Sequence, residues 1–176
     1  HIYFVNNNRP FLQNVVNSNY IAKQPLKDTF VKSIQDNSVK IEKKTFGKIE
    51  KTNQTAELYT ITNKNGASVS LSSFGAAITS IKVPDKNGKL TDVTQGYNSV
   101  TPYEKSPVGH AGGTIGPCAN KINNGTFKLG EKEYKLDCNK DKGKTHCHGG
   151  KEGLDVKNWN AQILKDGVKF TYTKKD

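Results

Sequence analysis

Methionine is missing from this sequence altogether, and tryptophan occurs once. A translation product opens on methionine, so a chain that starts at His1 is expected to be a processed product or a fragment. There is no run of about eighteen apolar residues that would span a bilayer as a helix. Nor is there a basic stretch leading into an apolar core, as a secretory signal requires, although a signal already removed would leave the same picture. No membrane partner is expected. Acidic residues are also scarce, 16 against 27 lysines and arginines, for a formal charge of +11. Such a charge suits a polyanionic matrix, but the lysines are scattered and no nucleic-acid motif accompanies them. A solvated basic surface, with no nucleic-acid partner, is the expectation.

Apolar residues make up only 33% of the chain. That is low for a globular protein of 176 residues, a length that ordinarily supports one domain with its own core. Either the surface is very polar or part of the core belongs to other polypeptide. Two sequons, Asn53-Gln54-Thr55 and Asn124-Gly125-Thr126, would accept N-linked glycans in a secreted protein. Secreted or extracellular localisation is therefore expected, with a cytoplasmic location as the alternative. Cys118, Cys138 and Cys147 are an odd number. One pair could close and leave a third thiol, or all three could stay free; sequence alone does not choose.

Residues 1–40 differ from the remainder. They carry asparagine clusters, isolated apolar residues and two prolines without a sustained period, and read as an irregular or wrapping extension. Residues 41–176 hold short alternating runs. Val69 and Leu71 alternate with serines, and Val168, Phe170 and Tyr172 alternate with Lys169, Thr171 and Thr173, the signature of strands with one face buried. Phe127 and Leu129, then Tyr134 and Leu136, repeat the pattern about a turn. Asn65-Gly66, Asn87-Gly88 and Asp166-Gly167 offer the positive φ values of tight hairpins. Connections this short exclude parallel crossovers, so the fold class is all-β: an antiparallel β-sandwich with few or no helices.

The hexapeptide THCHGG, residues 145–150, carries the most chemistry. His146, Cys147 and His148 are all metal-ligating types. On a strand, however, His146 and His148 would share one side and Cys147 would face away, and two imidazoles are too few for a closed zinc site. No metal is expected.

The segment THCHGGKEGLDVKNW (145–159) resembles the aldose 1-epimerase (galactose mutarotase) family, with its HGG, a following glycine, an aspartate and a tryptophan. GGTIGPCANKINNGTF is similar to the family's glycine-rich strand and its Ala-Asn-Arg-Ile run. LYTITNKNGASVSLSSFGAAITSIKVPDKNGKLTDVTQGY is similar to the opening strands. The three motifs are collinear over about residues 41–173. The resemblance implies a large antiparallel sandwich of the supersandwich, galactose mutarotase-like kind, incomplete in this chain because family members are roughly twice as long. It further implies a second polypeptide carrying the C-terminal half, or a truncated chain. It also implies a monosaccharide substrate such as galactose or glucose, and α/β anomer exchange by acid/base ring opening with no cofactor.

By the same resemblance His148 corresponds to the first of two active-site histidines, which makes it the catalytic and substrate-binding candidate. The second histidine and a late glutamate base would lie beyond Asp176. Asn120 and Lys121 occupy the positions of the family's substrate-binding Asn-Arg pair. Lysine cannot reproduce arginine's planar fork of donors, and Pro117, where an arginine is common, removes a backbone donor from a strand. These departures keep open a weakened or inactive carbohydrate-binding protein. His146 is expected to make a supporting hydrogen bond, Gly149 and Gly150 to permit close backbone approach, Trp159 to be buried rather than to stack on sugar, and Asp155 to be structural.

Overall fold

The computed structural model describes residues 2–5, 39–105 and 110–173. Its largest sheet has five antiparallel strands in sequence order: β2 (Val39–Lys48), β3 (Thr55–Asn63), β4 (Ser68–Ser72), β5 (Ala77–Pro84) and β6 (Leu90–Asp92). A second sheet runs β1 (Ile2–Val5), β12 (Gly167–Thr171), β11 (Asn160–Ile163), so that β1, near one end of the chain, pairs with β12, near the other. Two short ribbons account for the other strands among the described residues: β7 (Lys121–Asn123) with β10 (Thr145–Cys147), and β8 (Thr126–Leu129) with β9 (Lys132–Lys135). Among the described residues one six-residue α-helix, α1 (Val100–Lys105), interrupts the pattern. The expectation of an irregular extension over 1–40 falls mostly outside the described residues; within them, Ile2–Val5 is a strand and β2 already begins at Val39.

The five-stranded sheet buries both faces because β3 is apolar on both. Tyr59 and Ile61 join Val69, Leu71, Trp159, Val168 and Phe170 in one core, which glues the large sheet to β12. Ala56 and Leu58, offset by one residue and so on the other side, pack with Phe46, Ile49, Phe74 and Val100. Helix α1 is thus a cover for the outer face, and Tyr103 reaches Phe46 with ring centroids 5.8 Å apart. A sandwich of antiparallel sheets results, as the alternation of Val69/Leu71 and Val168/Phe170 predicts.

The hairpin turns follow local chemistry. Between β3 and β4 the Asn63 side chain accepts from the N–H groups of Asn65 and Ala67, and Gly66 takes φ 84°. Between β5 and β6 Asp85 does the same for Asn87 and Lys89, with Gly88 at φ 80°. Each Asx side chain closes the turn that its glycine permits. Two details differ from the sequence expectations. Gly167 is already part of β12 and does not have a positive φ. The β8–β9 hairpin forms with Phe127 stacked on Tyr134 at 5.1 Å, but its apolar side is open: Leu129 is 69% exposed. Strand alternation reports a two-sided ribbon; whether another layer covers it depends on the rest of the fold.

Candidate functional site

The site forms where ribbon β7–β10 meets the glycine-rich segment ahead of it. In the ribbon Cys147 lies opposite Lys121, His146 opposite Ile122 and Thr145 opposite Asn123. One residue beyond this register the ladder gives way to a reciprocal pair. The Asn120 N–H donates to His148 Nδ1 at 3.0 Å, and the His148 N–H donates to the Asn120 carbonyl at 3.0 Å. Two of the residues singled out from sequence are therefore bonded to each other although 28 positions apart. Both have left-handed backbones, Asn120 at φ 59° and His148 at φ 52°. For histidine that conformation costs about 1–2 kcal/mol, so the surrounding bonds must hold it in place.

The alternation expected for the two histidines stops short of His148, because strand β10 ends at Cys147. His146 turns inward instead. It is buried, and its ring Nδ1–H donates to the Asp137 carbonyl at 2.6 Å. Asp137 in turn accepts from the Lys151 N–H at 2.8 Å. His146 thus supports the backbone on either side of the HGG step, as its expected role requires. The glycine pair is obligatory for close approach. A Cβ on Gly149 would lie 1.9 Å from the Gly116 carbonyl oxygen, and one on Gly150 would lie 2.3 Å from the Asp137 carboxylate.

Lys121 leaves the reciprocal pair. Its ammonium sits 3.3 Å from Asp141 Oδ2, and hydrogen bonding from Thr145, then from Lys121, holds the Asp141 carboxyl below the usual carboxylate range. Pro117 lies in the bend before β7, not in a strand, so its missing N–H interrupts no ladder there and the expected loss of a strand donor does not apply. The glycine-rich segment around it is likewise not a strand. It is held by separate backbone bonds, Thr114 N–H to the Gly75 carbonyl and Leu154 N–H to the Gly116 carbonyl. Trp159 is buried, and its indole N–H donates to the Leu154 carbonyl at 2.9 Å, which makes it a packing residue. Cys118, Cys138 and Cys147 are free thiols.

Sequence reasoning passed over His110. Its ring lies edge-on to that of His148, centroids 4.8 Å apart, and its Nδ1 is 2.5 Å from Asp155 Oδ2. The Asp155 side chain is only 7% exposed, whereas His110 is 37% exposed. Three glycines make room for that carboxylate and its backbone: Cβ atoms on Gly75, Gly113 and Gly153 would come within 2.5 Å, 3.1 Å and 2.7 Å of Asp155 atoms respectively. His110 also has a left-handed backbone, φ 65°. The one signal in sequence was a histidine leading the glycine stretch AGG; nothing in the spacing announced a partner 45 residues away.

Comparison with known proteins places this geometry in context. Residues 57–176 match the family model described as aldose 1-epimerase. The chain is 38% identical over 109 residues to galactose mutarotase of Bos taurus, covering 61% of this chain and 31% of that protein. It is 34% identical over 133 residues to galactose mutarotase of Mus musculus, covering 75% and 37% respectively. The chain therefore spans about a third of the length of these relatives. Among solved structures, the aldose epimerase homologue from C. elegans superposes with a TM-score of 0.55 at 32% identity, covering 61% of this chain and 32% of that one. Galactose 1-epimerase from Lactobacillus acidophilus superposes at 0.63 with 24% identity, covering 79% and 40%, a likeness of fold. With the family model matching well over half of its residues, the chain belongs to the aldose 1-epimerase family.

Proposed function

We propose that this chain supplies part of the sugar site of an aldose 1-epimerase, an isomerase that exchanges the α and β anomers of a free hexose such as galactose or glucose. The observation that carries the proposal is the mutual Asn120–His148 pair, which locks an imidazole of the HGG motif in a strained conformation beside a half-open surface. Its relatives named galactose mutarotase support galactose as a substrate. Mutarotation needs one group to take the proton of the anomeric hydroxyl and another to assist the ring oxygen, and imidazole is suited to either role near neutral pH. The remaining wall of the site is supplied by polypeptide corresponding to the rest of the relatives' length, of which this chain spans 31–37%.

Polarimetry of fresh α-galactose and α-glucose with the full-length protein tests this. His148→Ala is expected to slow mutarotation by about 100-fold or more, the usual contribution of a proton-transfer group; an unchanged rate would remove His148 from the mechanism. A second reading, a carbohydrate-binding protein with weak or no turnover, is favoured by the Lys121 ammonium being engaged by Asp141. Saturable sugar binding without acceleration would select it. Secretion is part of the proposal: both sequons fall in exposed turns, with Asn53 at φ 58° and Asn124 at φ 55°.

A further inference from the structure

We propose that Asn139 is a positioning residue of the site: its side-chain amide clamps the main chain of Cys147 and thereby fixes the His148 imidazole. The inference rests on the sugar-epimerase reading above and adds to it a residue that acts only through His148. In an antiparallel pair the peptide groups of successive residues point alternately toward the partner strand and away from it. Thr145 and Cys147 share one parity on β10. At Thr145 the outward groups are engaged: its carbonyl accepts from the Asn139 N–H at 3.0 Å and the Lys140 N–H at 3.1 Å, and its own N–H donates to the Lys140 carbonyl at 3.2 Å. Asn139 and Lys140 therefore lie along the edge of β10 that faces away from β7. At Cys147 the Asn139 side chain takes over from the backbone. The Cys147 N–H donates to Asn139 Oδ1 at 2.7 Å, and Asn139 Nδ2 donates to the Cys147 carbonyl at 3.0 Å. A primary amide carries the donor and acceptor of a peptide group, so one side chain stands in for a third strand at a buried residue whose backbone must be paired.

Cys147 is the last residue of β10, and His148 follows it at φ 52°. His148 Nδ1 receives the Asn120 N–H only while the Cys147–His148 peptide keeps the tilt that the clamp sets. A backbone N–H can only donate, so this bond puts the proton of the neutral ring on Nε2. The far side of the turn is held by the same short segment, because the Asp137 carboxylate accepts from the Lys151 N–H at 2.8 Å. His148 thus sits within an arch from Cys147 to Lys151 whose two feet are tied to Asn139 and Asp137. Without the Asn139 amide one foot is released, and relaxation of His148 from its left-handed backbone swings the ring away from Asn120. A displacement of about 1 Å in a group that acts on substrate is enough to cost about 100-fold in rate. Asn139 is itself exposed, so truncating it removes little packed surface.

The full-length protein is tested by turnover and by ring spectra. In polarimetry of α-galactose Asn139→Ala should lower kcat about 10- to 100-fold, with KM changed far less. Nitrogen-15 spectra should show His148 passing from a single Nε2–H tautomer in the wild type to a mixture in the variant. Asn158 is the control, since its amide also joins two segments, accepting from the Ser73 hydroxyl at 2.8 Å and donating to the Thr55 carbonyl at 3.1 Å. Asn158→Ala should lower the denaturation midpoint and leave kcat and the His148 tautomer as in the wild type. Should Asn139→Ala fail to fold, the isosteric Asn139→Asp, which keeps the acceptor for the Cys147 N–H and loses the donor, is read in the same way. Wild-type kcat or an unmixed His148 tautomer in the folded Asn139 variant would overturn the proposal, as would an equal loss of kcat in Asn158→Ala. Absence of mutarotation in the wild type would sink the sugar-epimerase reading, and the ring spectra, which need no turnover, separate that failure from a failure of the clamp.

Discussion

Among single residues, the glycines beside the histidines carry as much of the site as the histidines do. Gly149 has φ 88°, where an L side chain is strained, and a Cβ there would run into the Gly116 carbonyl. Gly149→Ala is therefore expected to cost at least about 2 kcal/mol, from the left-handed backbone and the displaced Gly116 segment together. A lowered denaturation midpoint at unchanged m-value would show it, and an unaltered midpoint would contradict the close approach. His148 could be found from sequence because its neighbours form a motif of consecutive residues. His110 could not, because its meaning depends on Asp155. That meeting is permitted by Gly75, Gly113 and Gly153, which leave space for the backbone carbonyl, the Cβ and the carboxylate of Asp155 respectively.

Among elements, the edge of the large sheet depends on a single carboxylate. Asp92 on β6 is slightly desolvated, which works to raise its pKa, but the Ser80 hydroxyl, the Thr94 hydroxyl and N–H, and the Ile81 N–H outweigh this and hold it at about 2. Its ordinary value is 3.8, so the folded chain binds this proton less readily than the unfolded chain. The contribution to stability is complete above about pH 4 and is lost as pH falls through about 2. Denaturation measured across that window should show wild type losing its advantage over Asp92→Asn as acid is added; a constant difference would contradict the assignment. The strands themselves were visible in sequence wherever a second layer covers them, as at Leu71 and Phe170. Leu129 alternates just as regularly yet is exposed, since periodicity records the two sides of a ribbon and not what lies against them. The glycine-rich segment from Gly113 to Gly116 was expected as a strand and instead bonds to two different partners, a choice made by tertiary contacts and not by propensity.

For the whole molecule, the excess of positive charge and the two sequons describe the surface, and the core describes the architecture. Expressed through a secretory route, the protein is expected to carry glycans at Asn53 and Asn124. Endoglycosidase should then reduce its mass in two steps, with Asn53→Gln and Asn124→Gln each removing one; a mass insensitive to the enzyme would argue against passage through that route. The thin apolar content is explained only in part by the polar strand faces, because sandwich layering was inferable from alternation while the partner of each sheet was not. One pairing bears on biogenesis. Strand β1 is bonded to β12, with Ile2 opposite Phe170, so two segments separated by most of the sequence must meet before this sheet closes. Contacts of such high order are slow to form, and until they do the edge of β1 is a surface for chaperones to shield.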